Sequence, residues 1–571
     1  MELFKAEIAA IVEKNTGLNA QAVLASLETP SDPRWGDVAL PCFRLSKELK
    51  KPPQAIAEEL KQKIESSGEG LIEKITAGAY LNFYLNKAEC SRLVLEKIRA
   101  AGQDFGRQSL GAGKTVVIDY SSPNIAKPFN VALLYGTLIG NSLYRLHKCL
   151  GYNTVGINYL GDWGTQFGKM MEAYKLWSCE EAVERDGVME LVRVYVKYHS
   201  EVEENPELDS RARAWLVKMQ NGDEEALSLW QWFKEITLDD INKIYSRLGV
   251  SFDSYKGESF YNDKMGAVVD ELREKGLLEE SDGAMLVRLD EYKMPPCLIL
   301  RGDGGTLYPT RDLASVFYRK KTYGFHKCLY VTGAPQALHF AQWFKVVGLM
   351  GYEWERDLVH VPTGNLSLED GQMSTRKGNF ILAADVLDTA KAKVLEIINE
   401  KNPELNDKEA VAEQVALGAV AFGNLYNSRV KDVVFVWDKM LNFKGETGPY
   451  VQYQHTRTRS VLRKAAESGY AEGLAEGLDY GLLSEDAAFD IIKLLSEFED
   501  KIAEAADRLE PYVLARHVMA LAQAFDHFYN NCPILTAEGK TREARLELVR
   551  AVGTALRNGL YLLGVSAPER M

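Results

Sequence analysis

Apolar residues recur every third or fourth position in "ELFKAEIAAIVEKN" (2–15) and "PPQAIAEELKQKIES" (52–66), the spacing of helices with one buried face. "AGAYLNFYLN" (77–86) instead alternates apolar and polar residues, as a half-buried strand does. Residues 1–108 therefore read as a separate α+β domain. A new unit opens at "SLGAGKTVVIDYSS" (109–122), where Val116 to Asp119 form a short apolar run suited to a buried parallel strand. A helical pattern follows from about Asn130 to Leu150, Gly151 supplies a stop, and "NTVGINYLG" (153–161) is the next strand. Strand, crossover helix and strand make a βαβ unit, which predicts an α/β, doubly wound domain over 109–384. "KCLYVTG" (327–333) and "DLVHVPTG" (357–364) supply further strands, separated by the helical "APQALHFAQWFKVVGLMGY" (334–352). Residues 170–250, rich in Trp, Glu and Lys at helical spacing, read as an insertion. From 385 to 571 almost every pattern is helical, ending in "LELVRAVGTALRNGLYLLGV" (546–565).

Composition adds exclusions. With 46% hydrophobic and 26% charged residues, the 571-residue chain has the profile of a folded globular protein and enough length for several cores. No apolar run reaches bilayer length, and the N-terminus mixes acids with its apolar residues and lacks a small-residue cleavage site. A cytoplasmic protein without a membrane partner is expected. Its seven cysteines are scattered, odd in number and never in C-x-x-C spacing, so reduced thiols and no metal site are expected. A net charge of -13 argues against a protein that coats nucleic acid at large, yet leaves room for a local basic track.

Four stretches carry candidate chemistry. "SSPNIAKP" (121–128) sits at the carboxyl end of the first parallel strand, where open α/β sheets bind ligands. Asn124 suits a substrate amine or carboxylate, and Lys127 a phosphate beside the positive end of the following helix. The same residues also suit a plain βα turn. In "DGGTLYPTRDLAS" (303–315), Tyr308 and Asp312 lie four apart and share one face if a helix begins there. An acid beside a phenol makes a receptor for a guanidinium or ammonium group, or else a helix-start acid and a packing ring. "LEDGQMSTRKGN" (368–379) is a polar, glycine-bracketed loop with adjacent Arg376 and Lys377, suited to closing over phosphates or to a solvated turn. "NFKGETGPYVQYQHTRTRSVLRKA" (442–465) interleaves Tyr450 and Tyr453 with Arg457, Arg459, Arg463 and Lys464 on a helical pattern. That mixture suits looped RNA, and equally a charged solvated face.

Together "SSPNIAKPF", "LGDWGTQFG", "LYPTRDLA", "SLEDGQMSTRKGN", "GETGPYVQY" and "LAQAFDHFYNNCPIL" resemble the arginyl-tRNA synthetase family in order and context. The similarity runs from "GDVALPCFRLSKELKK" to the final "GVSAPERM". The resemblance implies a Rossmann-type class I synthetase core, an N-terminal tRNA-contacting domain (1–108) and a C-terminal helical stem-contact and anticodon-binding domain (385–571). It implies a ligase that joins arginine to its tRNA isoacceptors with ATP and Mg2+, and a monomer is expected. Asn124, Tyr308, Asp312, Gln336 and Glu258 fall at arginine-binding positions. Lys127, Asn130, Arg376 and Lys377 fall at catalytic ones, with Gln372, Met373, Ser374 and Thr375 in the mobile loop. Tyr450, Tyr453, Arg457, Arg459 and Arg463 are the tRNA-binding candidates.

One departure stands out. The family's nucleotide signature reads Pro-Asn-Ile-Ala-Lys-Pro-Phe-His, then Val or Ile, then Gly-His. This chain keeps Pro123, Asn124, Ile125, Ala126, Lys127, Pro128 and Phe129, then has Asn130, Val131, Ala132 and Leu133. Both histidines and the glycine are replaced. Tyr159 also stands where "HLGDWG" has histidine, and Gln372 where lysine precedes Met-Ser. These changes leave a second expectation open: an arginine- or tRNA-binding paralogue with little or no adenylation activity.

Overall fold

The computed structural model describes residues 1–66, 70–302, 304–364, 366–368, 381–470 and 477–571. The apolar run before the Ser-Ser-Pro-Asn turn forms the strand Thr115–Asp119, buried on both faces. Among the described residues it lies inside a four-stranded, wholly parallel sheet ordered Leu358–Thr363, Lys327–Gly333, Thr115–Asp119, Asn153–Ile157. Alternation along the central strand divides the core. Val116 and Ile118 pack with Leu134 and Leu138 of the helix Val131–Cys149. Val117 faces the other way, toward Leu313 and Val316 of the helix Tyr308–Tyr323 and Trp343 of the helix Ala337–Leu349. Helices thus cover both faces, the arrangement that lets a parallel sheet bury its continuous apolar strands.

The N-terminal region pairs Tyr80–Leu85 antiparallel with both Val38–Pro41 and Ile72–Ala77. Leu81, Phe83 and Leu85 point inward between polar neighbours, so the alternating pattern reports a strand with one buried face. The insertion runs from the helix Thr165–Trp177 to the helix Glu224–Leu248 and has its own cluster around Phe167, Leu191, Tyr198 and Phe233. Helices from Ala383–Lys401 to Gly539–Leu562 fill the C-terminal region, with the short strand Val433–Phe435 pairing parallel to Leu366–Leu368. A small antiparallel sheet of Glu279–Ser281, Ala284–Val287 and Cys297–Leu300 lies outside the pattern read from the sequence. Among the described residues no helix is long and apolar enough to cross a membrane.

Candidate active site

The chain leaves the central strand through a turn with three non-glycine residues in the left-handed region: Ser121 (φ 77°), Ser122 (φ 43°) and Ala126 (φ 59°). Each such residue costs on the order of 1–3 kcal/mol and persists only where its surroundings hold it. Here the surroundings do. Ser121 Oγ lies 2.6 Å from the Tyr245 hydroxyl and accepts from Thr137 Oγ1 at 2.8 Å. Ser122 Oγ donates to Asp119 Oδ1 at 2.9 Å, and the Ala126 N–H donates to Thr237 Oγ1 at 3.0 Å. The Gly161 N–H donates to the Pro123 carbonyl at 3.0 Å, and the Ile125 N–H returns to the Gly161 carbonyl at 3.1 Å. A Cβ on Gly161 would collide with the Asn124 side chain, which is why glycine stands opposite that residue. Asn124 itself is exposed.

Asn130 is the N-cap of the Val131–Cys149 helix, its side chain accepting the Leu133 N–H at 3.0 Å. The Leu134 N–H bonds the Asn130 carbonyl at 3.0 Å, and the Val131 N–H bonds the Ile381 carbonyl at 3.2 Å. N–H groups at a helix start are the usual phosphate receptors. The Leu134 bond is the first regular bond of the helix, so two of the otherwise free first-turn N–H groups, those of Val131 and Leu133, are already engaged. Ala132 is exposed, and Leu133 packs partly against the core. Across this strand-like contact the Ala383 N–H also bonds the Phe129 carbonyl at 3.0 Å, tying residues just after the "QMSTRKGN" run to the signature. Gln372, Met373, Ser374, Thr375, Arg376 and Lys377 lie outside the described residues.

Tyr308 is the first residue of its helix and 69% exposed. Asp312, one turn on, is largely covered and takes His339 Nε2 on its Oδ2 at 2.6 Å. Beside it Arg311 Nη1 lies 3.4 Å from Glu258 Oε2, both side chains nearly buried. Burial pushes the Glu258 carboxyl up to about 7, Arg311 opposes the rise, and Asp312 and Asp162 add to it. The Glu258 N–H donates to the Leu160 carbonyl at 2.9 Å, next to Gly161. Gln336 is exposed at the end of the turn Ala334–Gln336, beyond the strand Lys327–Gly333 and three residues before His339. A continuous run of contacts thus joins Asn124, Glu258, Asp312 and the Gln336 turn at the carboxyl ends of the strands, where such sheets bind ligands.

Beneath this site Arg319 Nη2 pairs with Asp119 Oδ2 at 2.7 Å, both buried, and the guanidinium lies over the rings of Tyr159 (5.2 Å) and Tyr330 (5.4 Å). The Tyr159 hydroxyl is buried without a hydrogen-bond partner among the described residues. Asp119, Arg311, Arg319 and His339 were not singled out from the sequence. His339 sits inside the quoted "APQALHF" block, and its spacing from Gln336 was the one available signal.

The RNA candidates lie on the helix Gly448–Glu467. Arg457 is stacked between Tyr453 (4.9 Å) and Tyr529 (4.5 Å) and paired with Asp526, at a cavity of about 410 Å³ that Lys464 also lines. Arg459 pairs with Glu569 at 2.7 Å, and Arg463 donates to the Glu569 carbonyl at 2.9 Å. Tyr450 packs partly against the core.

Comparison with known proteins agrees along the chain. The family described as tRNA synthetases class I (R), catalytic domain, matches residues 95–437. The Arginyl tRNA synthetase N terminal domain matches 2–85, and the DALR anticodon binding domain matches 451–571. The chain is 48% identical over 570 residues to the arginine–tRNA ligase of Halothermothrix orenii, covering 100% of both. It is 47% identical over 572 residues to that of Clostridioides difficile, again covering 100% of both. Among solved structures, the Thermus thermophilus arginyl-tRNA synthetase superposes with a TM-score of 0.80 at 26% identity over 99% of each chain.

Proposed function

The chain belongs to the arginyl-tRNA synthetases, and from that membership we propose how its own residues carry the reaction. Arginine–tRNA ligases activate arginine with ATP and pass it to tRNA, and this chain is one of them. In the first step the arginine carboxylate attacks the α-phosphate in line and pyrophosphate leaves. In the second a terminal hydroxyl of the tRNA takes the arginyl group and AMP leaves. Little covalent work falls to the protein, so positioning and charge stabilisation dominate.

Asn124 and Gln336 hold the polar head of arginine, while Asp312 and Glu258 receive its guanidinium beside Tyr308. A planar fork of five donors suits two carboxylates better than an ammonium does. The observation that carries this reading is that the largely covered carboxylates of Glu258 and Asp312 lie close together and already meet donors of the protein, the Arg311 guanidinium and the His339 ring nitrogen. Lys127, Asn130 and the helix start face the triphosphate, with Arg376 and Lys377 closing from the loop. Magnesium enters as part of the nucleotide substrate, held chiefly by its phosphates. The Asn130 cap bears on rate: it supports slow adenylation, the feature the paralogue reading would take to its limit.

Residues 1–108 serve as the tRNA-contacting domain, 109–384 as the catalytic domain with its insertion at about 170–250, and 385–571 as the stem-contact and anticodon-binding domain. Tyr450, Tyr453, Arg457, Arg459 and Arg463 belong to the last. Arg457 between two tyrosines is the best supported, since stacked planes suit unpaired bases. We place the chain in the cytoplasm as a monomer; its seven free cysteines accord with a reducing compartment. Calorimetry tests the arginine site: arginine should bind, Asp312→Ala should abolish binding, and lysine should not replace it. Equal affinity for lysine would overturn the assignment.

A further inference from the structure

The helix that begins at the candidate active site ends, about 27 Å away by the 1.5 Å rise per residue, at a second concave region. Two neighbouring cavities of about 690 and 500 Å³ have Arg145, Arg557 and Tyr561 in common on their walls. Arg107 and Lys148 line the first, and Arg247 the second. Among the described residues no carboxylate lines either cavity, although the chain carries a net charge of -13. Arg247 is committed to Asp388 and Glu413, each at 2.8 Å, and Arg107 to Asp104 at 3.1 Å. Arg145 differs. Its two terminal nitrogens donate to the backbone carbonyls of Tyr561 (2.7 Å) and Gly249 (2.8 Å), which fix it without neutralising it.

Arg145 also lies over the Tyr561 ring at 4.6 Å, and Tyr561 is 58% exposed. An aromatic platform braced on one side by a guanidinium, with Lys148 and Arg557 alongside, offers a base a stacking face and phosphates a cationic wall. The volumes fall in the range of small-ligand sites, and the walls come from the Gln103–Arg107 stretch, the signature helix, the end of the insertion and the last long helix. We propose that this cleft binds a purine nucleoside triphosphate at a second site, separate from the one where arginine is activated.

GTP is the probe, because the ligase reaction uses ATP. Titration calorimetry on the full chain at low salt should show one GTP per chain. The double variant Lys148→Gln, Arg557→Gln should weaken GTP at least tenfold while leaving arginine affinity unchanged, which also reports an intact fold. Lys127→Gln, at the active site, should leave GTP affinity unchanged. Absence of GTP binding, or loss of it in Lys127→Gln but not in the double variant, would overturn the proposal. Inorganic tripolyphosphate binding as tightly as GTP would overturn the stacking role of Tyr561. Displacement of GTP by stoichiometric tRNA would overturn the small-molecule assignment in favour of RNA. Should arginine fail to bind the unaltered chain, the ligase site is at fault, and the GTP result stands by itself.

Discussion

Glu258 is the residue whose chemistry is most exposed to test. Its carboxyl is pushed up to about 7, chiefly by burial, so near neutral pH it carries a proton part of the time. A bound guanidinium favours the ionised form, which means that binding expels that proton. Arginine affinity is therefore expected to rise as pH goes from about 6 to 8 and to level off above, with proton release measurable by calorimetry in two buffers. Glu258→Gln should flatten the profile, and an affinity independent of pH in the unaltered chain would contradict the placement. The same shift has a folding consequence. A carboxyl raised from 4.5 stabilises the fold fully at pH below 4.5, and that contribution fades as pH climbs through about 7. At this scale the sequence was partly readable: four-residue spacing put Tyr308 and Asp312 on one helical turn. His339 and Arg311 escaped because contacts between distant segments leave no periodic trace.

At the scale of elements, the turn and helix following the central strand are the proposed seat of ATP. The turn is held in left-handed geometry by Thr137, Thr237 and Tyr245. At the helix start Asn130 caps Leu133, and residues 130–133 (Asn, Val, Ala, Leu) carry no imidazole. Losing one transition-state donor typically costs about 10²–10³ in rate, and donors that act together are not additive. The triple reversion Asn130→His, Ala132→Gly, Leu133→His is expected to speed tRNA charging by at least about 10². Equal rates would show that Asn130, Ala132 and Leu133 are no handicap. The βαβ unit itself was legible because a short apolar run (Val116, Val117, Ile118) and a long helical period are both strong patterns. The sheet of Glu279–Ser281, Ala284–Val287 and Cys297–Leu300 was not, since strands of three and four residues, one of them wholly polar, carry too little alternation to read.

Across the whole molecule, the Asp119–Arg319 pair fastens the central strand to the helix that presents Tyr308 and Asp312. Both charges are out of water, so removing one strands the other. Arg319→Met is expected to lower stability by about 3–5 kcal/mol in denaturant unfolding, and a loss under about 1 kcal/mol would show the pair to be replaceable. Order along the chain, from mixed N-terminal region to parallel core to helical C-terminal region, was legible from changes in periodicity alone. The basic cleft between these regions was not, because its walls are distant in sequence and no single segment is unusually basic. This chain, with Asn130, Ala132 and Leu133 at the helix start, joins arginine to tRNA. The most direct measurement is charging of arginine tRNA with labelled arginine and ATP by the unaltered chain. ATP-dependent arginyl-tRNA, formed well above the no-enzyme background and with no product from lysine, is the predicted result. No arginyl-tRNA from the unaltered chain, under conditions where the triple revertant charges readily, would contradict it.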